Sequence, residues 1–303
     1  MILISVIITT YNSSLTLSNT LQSIFNQKGL GDVFDFEVLL MDDCSTDTTL
    51  EIAKKFDTKI FINDKNSGGP NRGRNLALEK AKGEYICFID HDDVWYPNKT
   101  LLQLKAIKNY TICTTGYTDL DLTNQTQRKI FNKSINSNLI TYNNNETFLK
   151  LLSKDKNRQI CYFAGIMIHA SLKNIRFEEI FGKADYDWLL RLFQNQKSIE
   201  ICDCLFERKV DGKNLSLNEN YRLNDYQISH NIIQNFKSQY DKESLIGEKR
   251  LNASMARYYY LIGASEKCRK YLLKSELTFK NVMYYCTSFV GRKYIVKYFK
   301  VFG

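Results

Sequence analysis

Phe88-Ile89-Asp90-His91-Asp92-Asp93 sets three carboxylates at the end of an apolar run, Tyr85 to Ile89. A run of that length and character reads as a buried strand. Buried strands shed charge, because an unpaired carboxylate costs several kcal/mol to desolvate. Acids stacked where such a strand emerges need a cation, and a hard divalent metal bridging phosphate oxygens is the natural partner. A solvated acidic turn is the plain alternative, and the flanking sequence decides between them.

Upstream, the apolar runs Ile2–Thr10, Phe36–Met41 and Lys59–Ile62 read as further strands. Leu15–Gln27, Thr48–Lys55 and Asn71–Lys82 lie between them with apolar residues at three-to-four spacing, the signature of helices. Strands alternating with helices argue for an α/β fold built on a parallel, nucleotide-binding sheet. Downstream, Asn124 to Asn145 is rich in Asn, Ser and Thr and reads as a weakly structured connection. Apolar runs resume at Ile160–Ile168 and Ile199–Phe206, flanking a helical segment at Tyr186–Gln194. From about Asn224 the pattern is all-helical.

Three more polar clusters stand at the ends of these strands. Thr9-Thr10-Tyr11-Asn12 closes the first, where ligands of open α/β sheets bind. Asp42-Asp43-Cys44-Ser45-Thr46-Asp47 closes the second: Asp42 or Asp43 can accept a hydrogen bond from a nucleobase, and Ser45 or Asp47 can cap the next helix. In Asn66-Ser67-Gly68-Gly69-Pro70-Asn71-Arg72-Gly73-Arg74-Asn75 the glycines admit a ligand close to the backbone. The following helix offers its N-terminus to anions, and Arg72 and Arg74 can neutralise a diphosphate. No Gly-Lys-Ser/Thr follows, so this is not a P-loop.

In order and spacing these clusters resemble the family-2 glycosyltransferases of the GT-A fold. Their pattern runs Pro-Thr-Tyr-Asn, Asp-Asp-Gly-Ser-Thr-Asp, Ala-Arg-Asn and Leu-Asp-Ser-Asp-Asp. This chain has Thr9-Thr10-Tyr11-Asn12, Asp42 to Asp47, Gly73-Arg74-Asn75 and Ile89 to Asp93, with Thr9 for Pro and Cys44 for Gly. The resemblance spans about the first hundred residues. It implies a Rossmann-like, mostly parallel central sheet flanked by helices, here with a C-terminal helical extension. The implied division is a catalytic domain over 1–215 and a basic accessory region over 216–303.

The implied reaction is an inverting, metal-dependent transfer of a sugar from a nucleoside-diphosphate sugar, UDP being the commonest, to a hydroxyl of a glycan or lipid-linked acceptor. Bacterial surface polysaccharide is the family's usual product. The resemblance assigns the donor nucleotide to Thr10, Tyr11, Asn12, Asp42, Asp43, Arg74 and Asp90, with Arg208 in the loop after the last core strand. It assigns a Mn²⁺ or Mg²⁺ to Asp92, with Asp90 and Asp93 beside it; His91 holds the variable place in that motif. The catalytic base falls on Asp185 in Ala184-Asp185-Tyr186-Asp187-Trp188-Leu189, with Ala184 where the family carries Glu, and Asp187 second. By itself a carboxylate at a helix start is equally a cap or a dipole partner. Trp188 reads as an acceptor platform or as core.

Composition is that of an ordinary soluble globular protein: 303 residues, 44% apolar and 25% charged. Met1 to Ile8 lacks a basic leader and reads as a strand, not a signal peptide. No uncharged apolar run is long enough to span a bilayer. The eight cysteines are scattered through apolar runs without a CxxC pair, which suits a reducing, cytoplasmic setting.

The net charge of +9 is concentrated at the end, where Ser265 onward carries nine bases against Glu266 and Glu276. Tyr294, Ile295, Tyr298, Phe299 and Phe302 share one helical face with Lys293, Lys297 and Lys300 around it. Such a tail suits an anionic membrane surface, placing the enzyme at the cytoplasmic face of the inner membrane; a helix packed on the protein is the alternative. Two other classes fit less well. A sugar-nucleotide nucleotidyltransferase carries a Gly-rich basic loop after the first strand, and Tyr11-Asn12-Ser13-Ser14-Leu15 is neither. A nucleic-acid module using the basic tail leaves the acidic clusters unexplained, so no nucleic-acid partner is expected.

Overall fold

A computed structural model describes residues 1–135, 137–179, 185–210 and 219–290. Its elements, in chain order, are β1 (Ile2–Thr10), α1 (Leu17–Phe25), β2 (Phe34–Asp42), α2 (Thr49–Ala53), β3 (Thr58–Ile62), α3 (Asn71–Lys80), β4 (Tyr85–Asp90) and β5 (Val94–Trp95). Then come α4 (Lys99–Ile107), β6 (Ile112–Asp121), β7 (Thr126–Ile130), β8 (Leu139–Tyr142), α5 (Glu146–Leu152), β9 (Met167–His169), α6 (Tyr186–Phe193) and β10 (Ser198–Val210). Helices α7 (Glu219–Phe236), α8 (Asp241–Leu261), α9 (Ser265–Leu272) and α10 (Phe279–Thr287) complete it. The chain divides into two units, Met1–Phe148 with Gln159–Asn218, and Leu149–Arg158 with Glu219–Gly303.

The first unit holds one sheet in the order β3-β2-β1-β4-β9-β6-β10-β5, with β7 beside β6 and β8 beside β10. From β3 to β4 every pairing is parallel, as the alternating pattern predicts. Beyond β4 the sheet is mixed: β9 runs antiparallel to both β4 and β6, while β6 and β10 are parallel. Central strands β1, β2 and β4 are covered on both faces, so their near-continuous apolar runs are what a buried parallel sheet requires. Ile4, Val6, Ile8, Val38, Leu40, Cys87 and Ile89 form the heart of that core.

Register brings the polar motifs together. Thr9 pairs with Asp90 and Thr10 with Asp42, so three strands end side by side at their carboxyl edge. Gly73 accounts for the glycine in the third motif: a Cβ there would stand 3.1 Å from Thr9 Cγ2 and 3.2 Å from Met41 Cβ, tighter than ordinary packing, so its absence lets α3 sit close on β1 and β2. Lower in the sheet Glu37 is buried, and accepts from Ser5 Oγ at 2.6 Å, Lys59 Nζ at 3.1 Å and the N–H groups of Lys82 and Gly83. Burial alone would raise its pKa, yet these bonds prevail and hold it below the usual glutamate value.

The segment expected to be weakly structured, Asn124 to Asn145, carries β7 and β8. Both are outer strands, and Thr126–Arg128 and Lys129 of β7 are exposed, so they need no apolar face to pair by their backbones. The second unit is helical as expected, with a core of Met255, Ala256, Tyr259, Tyr260, Cys268, Leu272 and Tyr284. The amphipathic tail predicted from Lys293 to Phe302 lies outside the described residues. Among the described residues no helix is long and apolar enough to cross a membrane.

Candidate active site

A cavity of about 620 Å³ opens at the carboxyl edge of the sheet. Thr9, Thr10 and Tyr11 come from the end of β1, Asp43 from the end of β2, and Asp90 to Asp93 from the end of β4. Asn66, Gly68, Gly69 and Pro70 form one wall, and Tyr162, Arg208 and Lys209 another. Strand ends supply most of these groups, which is why residues far apart in sequence converge.

The two aspartates of the second motif part company here. Asp42 is fully buried and committed to the turn, accepting from Thr10 Oγ1 at 2.9 Å and from Ser45 N and Oγ at 2.8 and 2.5 Å. Asp43 lines the cavity and holds its wall, accepting from Asn63 Nδ2 at 2.7 Å and Ser67 N at 2.9 Å. Asn12 takes Thr46 N on its side-chain oxygen rather than lining the cavity, and Asp47 holds the start of α2 through Thr49 N and Oγ1. Cys44 adopts φ 65°, the left-handed region that favours glycine, and its thiol donates to Asn63 O at 3.0 Å.

The acidic cluster is held from behind. Thr20 Oγ1 of α1 lies 2.8 Å from His91 O and 2.9 Å from Asp93 O, fixing the turn. His91 Nδ1 sits 3.2 Å from Thr16 Oγ1. Asp93 is 1% exposed, and its Oδ2 has no hydrogen-bond partner among the described residues. Burial, then the charges of Asp90 and Asp92, drive its carboxyl well above the usual range. Burial also lifts Asp92, with His91 opposing and Asp90 adding to the rise. An orphaned buried oxygen between like charges is what a cation site looks like before the cation arrives. Among the described residues no three acids, histidines or cysteines form a closed metal cage. Asp90, Asp92 and Asp93 are the carboxylates that could hold a hard divalent ion here.

Arg74 does something the sequence did not suggest. It is buried and does not line the large cavity; instead Nη1 donates to Asp185 Oδ1 at 2.6 Å and Nη2 to Asp90 Oδ1 at 2.9 Å. Its guanidinium lies 3.7 Å from the ring centre of Phe163, part of an aromatic floor with Phe88, Phe177 and Trp188. Asp185 precedes α6 but makes no capping bond, so its carboxylate is directed to Arg74. Burial raises the Asp185 carboxyl above its usual value while Arg74 pulls it back. Asp187 is paired with Arg191 on its own helix at 2.6 and 2.8 Å, and Trp188 is core, 1% exposed.

A second chamber of about 120 Å³ is lined by Asp90, Cys161, Tyr162, Phe163, Asp185 and Leu189, sharing Asp90 and Tyr162 with the larger cavity. Arg208 reaches Asp119 at 3.5 Å and lies over the Tyr162 ring. Tyr162 and Lys209 line the site without a motif to mark them. Lys209 only neighbours Arg208, and Tyr162 sits inside an apolar run that reads as core.

A family model, Glycosyl transferase family 2, matches residues 5–175, the stretch that carries the strand-end motifs and the acidic turn. The chain belongs to glycosyl transferase family 2. It is similar to poly(ribitol-phosphate) beta-N-acetylglucosaminyltransferase TarS of Staphylococcus aureus, 43% identical over 103 residues, which are 33% of this chain and 17% of TarS. UDP-Glc:alpha-D-GlcNAc-diphosphoundecaprenol beta-1,3-glucosyltransferase WfgD of Escherichia coli is 29% identical over 262 residues, 86% of this chain and 91% of WfgD. Among solved structures, TarS 1–349 in complex with UDP superposes with a TM-score of 0.62 at 20% identity, covering 97% of this chain and 91% of that one. The expected GT-A class, a central sheet flanked by helices with a helical C-terminal part, is the fold observed.

Proposed function

We propose that this family 2 protein is an inverting glycosyltransferase that moves a sugar from a UDP-sugar to a hydroxyl of a glycan or lipid-linked acceptor in bacterial polysaccharide synthesis. The observation that carries this reading is one continuous arrangement: a nucleotide-sized cavity ending on Asp90 to Asp93, with Asp185 in the chamber next to it. Support for UDP comes from the likeness to TarS, solved with UDP and with UDP-GlcNAc, and to WfgD, named for UDP-Glc.

The nucleoside sits against Tyr11 and Asp43, and the diphosphate lies toward the acidic turn with Arg208 and Lys209 flanking it. A Mn²⁺ or Mg²⁺ held by Asp92, with Asp90 and Asp93 beside it, would offset the charge that grows on the departing diphosphate. Asp185 takes the proton from the acceptor hydroxyl. The acceptor oxygen forms its bond to the anomeric carbon as the bond to the diphosphate oxygen breaks. The electron pair leaves with UDP, and a single displacement inverts the centre. Arg74 acts as a positioning residue: it keeps Asp185 within reach of the acceptor and charged when needed, and fixes Asp90 at the same time.

Calorimetric titration with UDP, GDP and dTDP, each with and without Mn²⁺, tests the donor site. UDP is expected to bind in a Mn²⁺-dependent manner, and Asp92→Ala to remove the Mn²⁺ effect. A folded protein that binds none of the three would sink the proposal.

A further inference from the structure

Exposed helix faces are ordinarily polar, and α10 breaks that rule. Phe279 (83% exposed) and Val282 (40%) are followed one turn on by exposed Cys286, and Phe289 (65%) and Val290 (60%) stand just beyond the helix end. Positions 279, 282, 286 and 289 recur at three and four residues, which puts them on one side. Asn281, Tyr284 and Ser288 alternate with them and are buried, so the helix is docked by its other side. The connection from α9 adds Leu273 (74%) and Leu277 (93%).

The same stretch is basic. Between Ser265 and Val290 lie Lys267, Arg269, Lys270, Lys274 and Lys280 against Glu266 and Glu276. Glu276 is engaged by Arg250 at 3.1 Å and Glu266 by Lys270 at 3.4 Å, while Lys274 and Lys280 are exposed beside the apolar positions. Arg269 ties α9 to α10 through Ser288 O and Oγ and covers the Phe289 ring at 4.5 Å. Apolar side chains ringed by cations exclude one occupant on charge. A second copy meeting this face by a two-fold axis would set lysines against lysines. An anionic bilayer surface satisfies both halves, taking the rings below the headgroups and the lysines at the phosphates.

We propose that the outer face of α10, Phe279 to Val290, together with the Leu273–Leu277 connection, seats this protein on an anionic lipid surface. It lies on the surface and does not cross it, since α10 is nine residues long. The surface is independent of the sugar-transfer reading.

Co-sedimentation of the full chain tests this with two vesicles, phosphatidylcholine alone and phosphatidylcholine with phosphatidylglycerol. The full chain is expected to pellet with the anionic vesicles and not the neutral ones. Phe279→Ser with Phe289→Ser is expected to weaken that binding about tenfold or more while thermal unfolding stays unchanged. Equal binding by wild type and double variant overturns the assignment, as does equal binding to both vesicles or to neither. Sedimentation equilibrium covers the rival occupant: a dimer that the double variant dissolves, without vesicle binding, assigns the face to self-association instead.

Discussion

Glu37 and Asp93 are both buried acids packed against one sheet, and the protein treats them in opposite ways. Glu37 receives four donors from β1, β3 and the turn before β4, and its pKa falls below the usual value despite burial. Asp93 keeps an oxygen with no donor, and burial with Asp90 and Asp92 pushes its pKa up. The fold supplies donors in abundance where a carboxylate joins strands. At the carboxyl edge, beside the cavity, it does not.

Substitutions that sharpen this contrast begin with Asp185, which stands between the two cases with Arg74 as its one side-chain partner among the described residues. Asp185→Asn keeps an acceptor for Arg74 but cannot take a proton. Transfer is expected to fall roughly a thousandfold, about 4 kcal/mol, with UDP affinity unchanged in calorimetry. A matching loss of UDP affinity would move Asp185 into the donor site.

Glu37→Gln strikes the satisfied member. It leaves Lys59 and the Lys82–Gly83 turn facing a neutral group, and stability should drop by about 2 kcal/mol, or roughly 5 °C in Tm. Activity per folded molecule should not change. Because the folded pKa of Glu37 is lowered, its contribution is present above the ordinary glutamate range and lost as pH falls through the folded value. The Tm gap between wild type and variant should therefore close on acidification; a gap that widens would break the comparison. Asp93→Asn is the gentlest. Replacing the underbonded carboxyl should leave stability equal or up to about 1 kcal/mol better, while Mn²⁺-dependent nucleotide binding weakens about tenfold.

Much of the first unit was legible because buried parallel strands cannot hide. β1 spans the residues its apolar run marks, Ile2–Thr10, and β4 extends Tyr85–Ile89 by one residue. The polar motifs were legible because each follows such a run. β7 and β8 were not, since outer strands such as Thr126–Ile130 pair through the backbone and carry polar side chains. Nor does sequence tell Asp42 from Asp43, because only the emerging strand decides which of two adjacent acids turns inward. Arg74 was read as a diphosphate ligand; its bond to Asp185, 111 residues away, is a product of tertiary packing alone. Tyr162 shows the limit from the other side, an aromatic in an apolar run that turns out to line the cavity.

The bridge from Asp90 through Arg74 to Asp185 also constrains how this protein can change over generations. Losing Arg74 leaves two acids facing each other without a cation, and losing either acid deprives a buried guanidinium of one of its two carboxylate partners. Each single step away from the trio is thus poorer than its start, whatever the destination. A path away from this arrangement therefore calls for more than one substitution at once.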